Sequence, residues 1–219
     1  MAEHKRNLAG LLDADIYGIT AEEYSLGRSN IEVVARMIEA GIRLIQYREK
    51  EKSDRQQYEE CRKIREMTIK AGVTFIVNDR VDLAMLVGAD GVHLGQDDLP
   101  PGRVRELVGG KMFIGLSTHS PAQAEAALRL GVDYIGVGPI FATNTKKDVC
   151  DPVGLEYLEF VVHNIRLPFV AIGGIKEHNI AEVYSRGARC IALVTEIVGA
   201  PDIGAKVQAL RKAIRDASL

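Results

Sequence analysis

Cysteine is scarce in this sequence. Cys61, Cys150 and Cys190 are odd in number and widely spaced, so they build neither a disulfide framework nor a Cys-x-x-Cys metal site, and they suit a reducing compartment. An excess of charge of either sign is also lacking: 28 Lys and Arg stand against 30 Asp and Glu in 219 residues, a net of −2 with His neutral. A dedicated nucleic-acid binder carries a basic field, so no nucleic acid is expected as partner; a local cluster of cations still suits a small phosphorylated ligand. No apolar run approaches the roughly 18 residues of a membrane span, and the opening stretch up to Asp15 is too polar for a signal peptide. No membrane partner and a cytoplasmic location are therefore expected. Walker loops, G-x-G-x-x-G turns and nucleophile elbows are missing too.

What is present is an alternation. Short runs rich in Val and Ile alternate with segments of helical period from Asp15 to the C-terminus, the pattern of parallel βαβ units. Eight strands are expected, in the runs 16–20, 42–48, 74–78, 91–94, 112–117, 134–137, 169–172 and 190–194. Helical patterns include 30–40, 53–70, 121–130, 179–186 and 203–216. Many helices run into a Gly before the next strand, as in Ala40-Gly41-Ile42 and Arg186-Gly187-Ala188, which suits tight αβ turns. Eight strands each followed by a helix predict an α/β fold of the (β/α)8 TIM barrel type rather than an open doubly wound sheet. The length fits a single domain over 1–219 with a short N-terminal extension, 1–14.

Polar residues cluster in the βα loops, at the face where such a barrel carries its chemistry. The second strand runs into Gln46-Tyr47-Arg48-Glu49-Lys50. Alternation along a strand puts Gln46, Arg48 and Lys50 on one face, an amide and two cations aimed at the barrel mouth. An Arg fork with a Lys point charge suits a di- or triphosphate. A charged strand end in water, with Glu49 and Glu51 as local partners, is the plainer reading. Asn78-Asp79 ends the third strand and Gln96-Asp97-Asp98 follows the fourth, so Asp79 and one of the later pair approach each other at the rim. Two such charges about 4 Å apart repel by roughly 4 kcal/mol at an effective dielectric near 20, which calls for a cation or a shared proton. Mg²⁺ takes one or two carboxylates and completes its shell with phosphates and water. A lone Asp capping the turn before Pro100-Pro101 is the alternative.

The longest βα connection, from Gly138 to about Gly154, offers Thr143, Asn144, Thr145 and Lys146 to anionic groups, either as an active-site lid or as a plain surface loop. Gly173-Gly174 after the seventh strand and Val194-Thr195 after the eighth sit where barrels bind phosphate through backbone N–H groups; a Gly-Gly turn without ligand is the alternative. His93 is expected to point into the barrel as a satisfied interior histidine rather than a general base. His119, His163 and His178 have no spacing that suggests metal ligation.

In their order and spacing these segments resemble the thiamine-phosphate synthase family. The match runs from about Ile16 to Val198 through Gln46–Lys50, Asn78-Asp79-Arg80, Ala89–Asp98, Gly115–His119, Gly138–Phe141 with Thr143–Asp148, and Ile172–Ile175. The resemblance implies a Mg²⁺-dependent transferase that joins 4-amino-2-methyl-5-hydroxymethylpyrimidine diphosphate to a thiazole phosphate, carboxylated or not. The products are thiamine phosphate and diphosphate. It further implies that Gln46, Tyr47, Arg48, Glu49, Lys50, Asn78, Ser117 and Lys146 hold the pyrimidine diphosphate, with Arg48, Lys50, Ser117 and Lys146 catalytic. Asp79 and Asp98 hold the metal, and Thr143, Asn144, Thr145, Gly174, Val194 and Thr195 bind the thiazole phosphate. The family's usual Ser at the last of these positions is Thr195 here, and Ala142 stands where Pro is common. Departure of diphosphate to leave a pyrimidine-stabilised carbocation needs charge stabilisation and positioning, not a protein nucleophile, which agrees with the residue inventory. A thiazole tautomerase, which needs no diphosphate-metal site, and a non-catalytic phosphate-sensing barrel are the rival readings; homo-oligomerisation stays open.

Overall fold

The computed structural model describes residues 14–143, 145 and 150–217. The expected N-terminal extension, apart from Ala14, and the candidate residues Asn144 and Lys146 lie outside the described residues. Eight parallel strands close in sequence order into one barrel: β1 (Ile16–Ile19), β2 (Leu44–Tyr47), β3 (Thr74–Asn78), β4 (Gly91–Leu94), β5 (Phe113–Thr118), β6 (Tyr134–Val137), β7 (Phe169–Ala171) and β8 (Ile191–Leu193). This is the (β/α)8 TIM barrel the alternation predicts. The expected second strand was longer at both ends. Its ladder starts where Leu44 meets Tyr17 and Thr74, and Arg48 has already turned into the loop.

The outer layer consists of α1 (Asn30–Glu39), α2 (Asp54–Ala71), α3 (Val81–Val87), α4 (Pro101–Val108), α5 (Pro121–Ala127), α6 (Gly154–Asn164) and α7 (Ile180–Ser185). A short α8 (Thr195–Val198) follows β8 directly, and α9 (Ile203–Asp216) completes the ring. Capping boxes start the first two helices, Ser29 with Glu32 and Ser53 with Gln56, each cap stabilising by about 1 kcal/mol. The fifth helix stops short of the expected Leu130. Residues 128–130 bond three positions back instead of four, as a helix does when its last turn tightens.

Helices cover the sheet's outer face, so the strands are apolar on both faces except where inward polar residues approach the cavity. One face fills the barrel, with Tyr17, Ile19, Leu44, Ile76, Phe113, Tyr134, Val170 and Ala192 among its members. The other meets the helices and includes Ile45, Tyr47, Phe75, Val77, Val92 and Ile135. At the N-terminal face, an arginine from a helix grips an aspartate that precedes a strand three times over: Arg65 with Asp90, Arg105 with Asp133 and Arg211 with Asp15. Each of these aspartates also accepts a strand N–H, from Phe75, Ile114 and Ile16 respectively. That end is closed by polar clamps, and the opposite end is left open.

Candidate active site

All eight strands contribute to one cavity of about 580 Å³ at their C-terminal ends. Gln46, Arg48 and Lys50 line it together, Gln46 by strand alternation and the other two from the loop that follows β2, with Asn78 and Asp79 from the end of β3 beside them. Thr20 pins the start of this loop: its hydroxyl accepts from the Arg48 N–H at 2.9 Å and donates to the Arg48 carbonyl at 3.2 Å. The buried Arg48 Nε has no hydrogen-bond partner among the described residues. A buried guanidinium nitrogen left unpaired is costly, and an anionic ligand in the cavity removes the cost.

Tyr47 and Glu49, which the resemblance places with the pyrimidine diphosphate, are not among the residues that line the cavity. The alternation that turns Gln46 inward turns Tyr47 outward, where its hydroxyl donates to Glu60 Oε2 on α2 at 2.7 Å. Glu49 folds back on its own loop, accepting from the N–H groups of Lys50 and Glu51 and from Asn30 Nδ2. Both residues shape the loop that carries Arg48 and Lys50.

Lys50 Nζ donates to Asp79 Oδ2, and Asp98 stands next to that pair. Asp98 is thus the member of the Asp97-Asp98 pair that neighbours Asp79. Its carboxylate accepts from the Gly95 N–H at 2.6 Å. Burial, and after it the Asp79 carboxylate, push the Asp98 carboxyl above its ordinary value, while the Gly95 bond and Lys50 pull the other way. Asp79 sits at φ +60, a left-handed conformation that Asp tolerates better than most residues, with its N–H on the His93 carbonyl at 2.8 Å. Two carboxylates with a mutual repulsion fit a divalent cation. Among the described residues no third His, Cys, Asp or Glu joins them to make a larger cluster.

The opposite wall carries residues expected to meet the thiazole phosphate. Thr143, Thr145, Gly174, Val194 and Thr195 all line it. The Thr143 and Thr145 hydroxyls are 3.1 Å apart, and Asn179 Nδ2 holds the Gly174 carbonyl at 3.1 Å. Gly174 has φ +65, and a methyl on it would lie 2.6 Å from the Ala142 carbonyl oxygen, so glycine is required there twice over. Lys176, absent from the expected set, also lines this wall and donates to Thr195 Oγ1 at 2.9 Å. Proximity to the Gly-Gly turn was the available signal for it.

Ser117 and His93 occupy the floor, with His93 Nε2 3.0 Å from Ser117 Oγ and Nδ1 3.0 Å from the Tyr134 hydroxyl. The interior, satisfied histidine expected from the sequence is what the structure contains. Tyr17 also lines the floor. It was not among the residues singled out from the sequence.

A family model described as thiamine monophosphate synthase matches residues 16–197. A thiamine-phosphate synthase of Pelotomaculum thermopropionicum is 83% identical over 210 residues, 96% of either chain. One from Lawsonia intracellularis is 59% identical over 203 residues, 93% of this chain and 94% of that one. Among solved structures, a thiamine phosphate pyrophosphorylase from Pyrococcus furiosus superposes with a TM-score of 0.85 at 34% identity, over 94% of this chain and 98% of its own. A 3-hexulose-6-phosphate synthase, 18% identical with a TM-score of 0.64 over 90% of this chain and 99% of that one, shares the fold alone. With the barrel, the cavity and these relatives in agreement, the chain belongs to the thiamine monophosphate synthase family of biosynthetic enzymes.

Proposed function

We propose that this enzyme condenses 4-amino-2-methyl-5-hydroxymethylpyrimidine diphosphate with a thiazole ethyl phosphate, releasing thiamine phosphate and diphosphate. The observation that carries this reading is the meeting of Lys50, Asp79 and Asp98 at the cavity mouth beside Arg48, whose Nε has no hydrogen-bond partner among the described residues. An isomerase acting on the thiazole phosphate has no use for such a constellation. Asp79 and Asp98 would hold Mg²⁺, an ion that suits one or two carboxylates beside a phosphorylated substrate. When bound, the ion offsets negative charge on the leaving diphosphate.

Arg48 and Lys50 supply the protein's own positive charge to that diphosphate, joined in this proposal by Lys146. Gln46, Asn78 and Ser117 orient the pyrimidine. The C–O bond to the diphosphate breaks with its electron pair leaving on oxygen, and the pyrimidine stabilises the cation left behind. The thiazole nitrogen then donates its pair to that carbon, with the thiazole phosphate held by Thr143, Asn144, Thr145, Gly174 and the Val194-Thr195 backbone. The enclosed barrel floor limits access of water, the competing nucleophile. Among the described residues no helix is long and apolar enough to cross a membrane; the cytoplasm is the compartment proposed, because both substrates are charged phosphate esters.

Purified protein given both substrates and Mg²⁺ is expected to release diphosphate and thiamine phosphate in equal amounts, and to stop in EDTA. Full activity in metal-free buffer removes Mg²⁺ from the mechanism. Isomerisation of the thiazole phosphate without diphosphate release replaces the reading with a tautomerase.

A further inference from the structure

Five side chains from five strands are joined in one line across the cavity floor. Gln46 Nε2 donates to the Tyr17 hydroxyl at 2.8 Å, and the Tyr17 and Tyr134 hydroxyls are 3.1 Å apart. The line continues from Tyr134 to His93 Nδ1 and from His93 Nε2 to Ser117, each at 3.0 Å. A phenol has one proton to give. Tyr17 receives the Gln46 N–H, which leaves its own proton available to Tyr134. Run in that direction, the line has Tyr134 giving its proton to Nδ1 and a neutral imidazole, protonated on Nε2, donating to Ser117. Burial holds both phenols well above their ordinary titration range, so they stay neutral and keep those protons. The crossing exists because Gly115, paired in register with both His93 and Tyr134, has no side chain; a methyl there would overlap both rings.

We propose that this line is a positioning device: it fixes which atoms Gln46 and Ser117 turn toward the pyrimidine, and so selects a 4-aminopyrimidine over its 4-oxo counterpart. The inference rests on the condensation reading above. With Nε2 committed to Tyr17, Gln46 offers Oε1, an acceptor for the exocyclic amine. Ser117, already receiving from His93, has its own proton left for a ring nitrogen. A 4-oxo ring sets a carbonyl against Gln46 Oε1, acceptor against acceptor. A polar site mispaired in this way discriminates by about 100-fold or more.

The test compares kcat/KM for the 4-amino and 4-oxo pyrimidine diphosphates at saturating thiazole phosphate. Wild type is expected to prefer the amine by at least about 100-fold. Tyr17→Phe frees the Gln46 amide to turn over, and the preference is expected to fall at least tenfold. Tyr134→Phe, which breaks the line one link further on, is expected to lower it as well. An unchanged preference with a parallel loss on both substrates reduces the line to a structural feature and overturns the proposal. Should the variants not fold, the ¹⁵N shifts of the neutral His93 ring in resting wild type decide: the Nε2–H tautomer is expected, and the Nδ1–H tautomer overturns the line's polarity. Wild type inert toward the amine with both substrates present overturns the condensation reading, an outcome distinct from the tautomer measurement.

Discussion

Lys50 Nζ and Asp79 Oδ2 lie 2.5 Å apart although 29 positions separate them in the chain. They meet because β2 and β3 are neighbours whose loops leave the barrel side by side. Their side chains are 55% and 22% exposed, so the pair adds at most about 1 kcal/mol to stability. It keeps a cation and a carboxylate at the mouth of the cavity, where the proposed condensation needs them. Asp79→Asn keeps the shape and tolerates φ +60 while removing the charge. Steady-state kinetics are expected to show a fall in kcat of at least about 100-fold with little change in Tm. A rate near that of wild type excludes Asp79 as a metal ligand.

Gly174→Ala tests the phosphate wall. The new methyl meets the Ala142 and Phe141 carbonyl oxygens, and φ +65 adds left-handed strain of about 1 kcal/mol. The expected outcome is a KM for the thiazole phosphate raised at least about tenfold, in line with one lost charge-assisted contact, and a lowered Tm. An unchanged KM would place the phosphate elsewhere.

Tyr47→Phe separates loop shape from ligand binding. The variant removes one hydrogen bond to Glu60, which keeps Lys52 Nζ and Asn30 Nδ2 as partners. A loss of about 1 kcal/mol in unfolding free energy is expected from denaturant titration. KM for the pyrimidine diphosphate should stay within about threefold of wild type, since about 0.6 kcal/mol is the most an indirect effect is expected to pass on. A tenfold rise would return Tyr47 to the substrate.

Acid stability provides a further check through Glu196. Burial alone would raise its carboxyl, but Lys206, the Glu177 N–H and Lys176 outweigh that and hold it below its ordinary value of 4.5. A carboxyl lowered in the folded state stabilises the fold above its unfolded value, and that contribution disappears as pH falls through the folded one. Wild type is therefore expected to exceed Glu196→Gln in Tm at pH 7, with the gap closing below about pH 4.5. A gap independent of pH assigns the effect to packing instead of charge.

Much of the site was legible in the sequence because a strand's period of two is local. Gln46 faces the cavity for that reason, and the loop that follows β2 carries Arg48 and Lys50 to the same cavity. The same rule turns Tyr47 toward α2, where its hydroxyl meets Glu60. Glu49 was not readable. Its place depends on Asn30, which another strand-to-helix connection brings beside it. His93 was legible as an interior residue, whereas its partners were not, since Tyr134 lies 41 positions away and Ser117 24.

Local chemistry along the chain thus specified eight strands, their inward and outward faces, the helix caps and the loops rich in cations and carboxylates. Closure of the barrel decided the rest. Bringing β1 against β8 converts a list of polar loop residues into one cavity, and sets side chains from well-separated segments within hydrogen-bonding reach. The pairing of Asp79 with Asp98 rather than Asp97, the placement of Arg48 Nε away from any partner among the described residues, and the line from Gln46 to Ser117 each depend on distances between strands. Such distances are set by packing and register across the whole barrel, and no short stretch of sequence contains them.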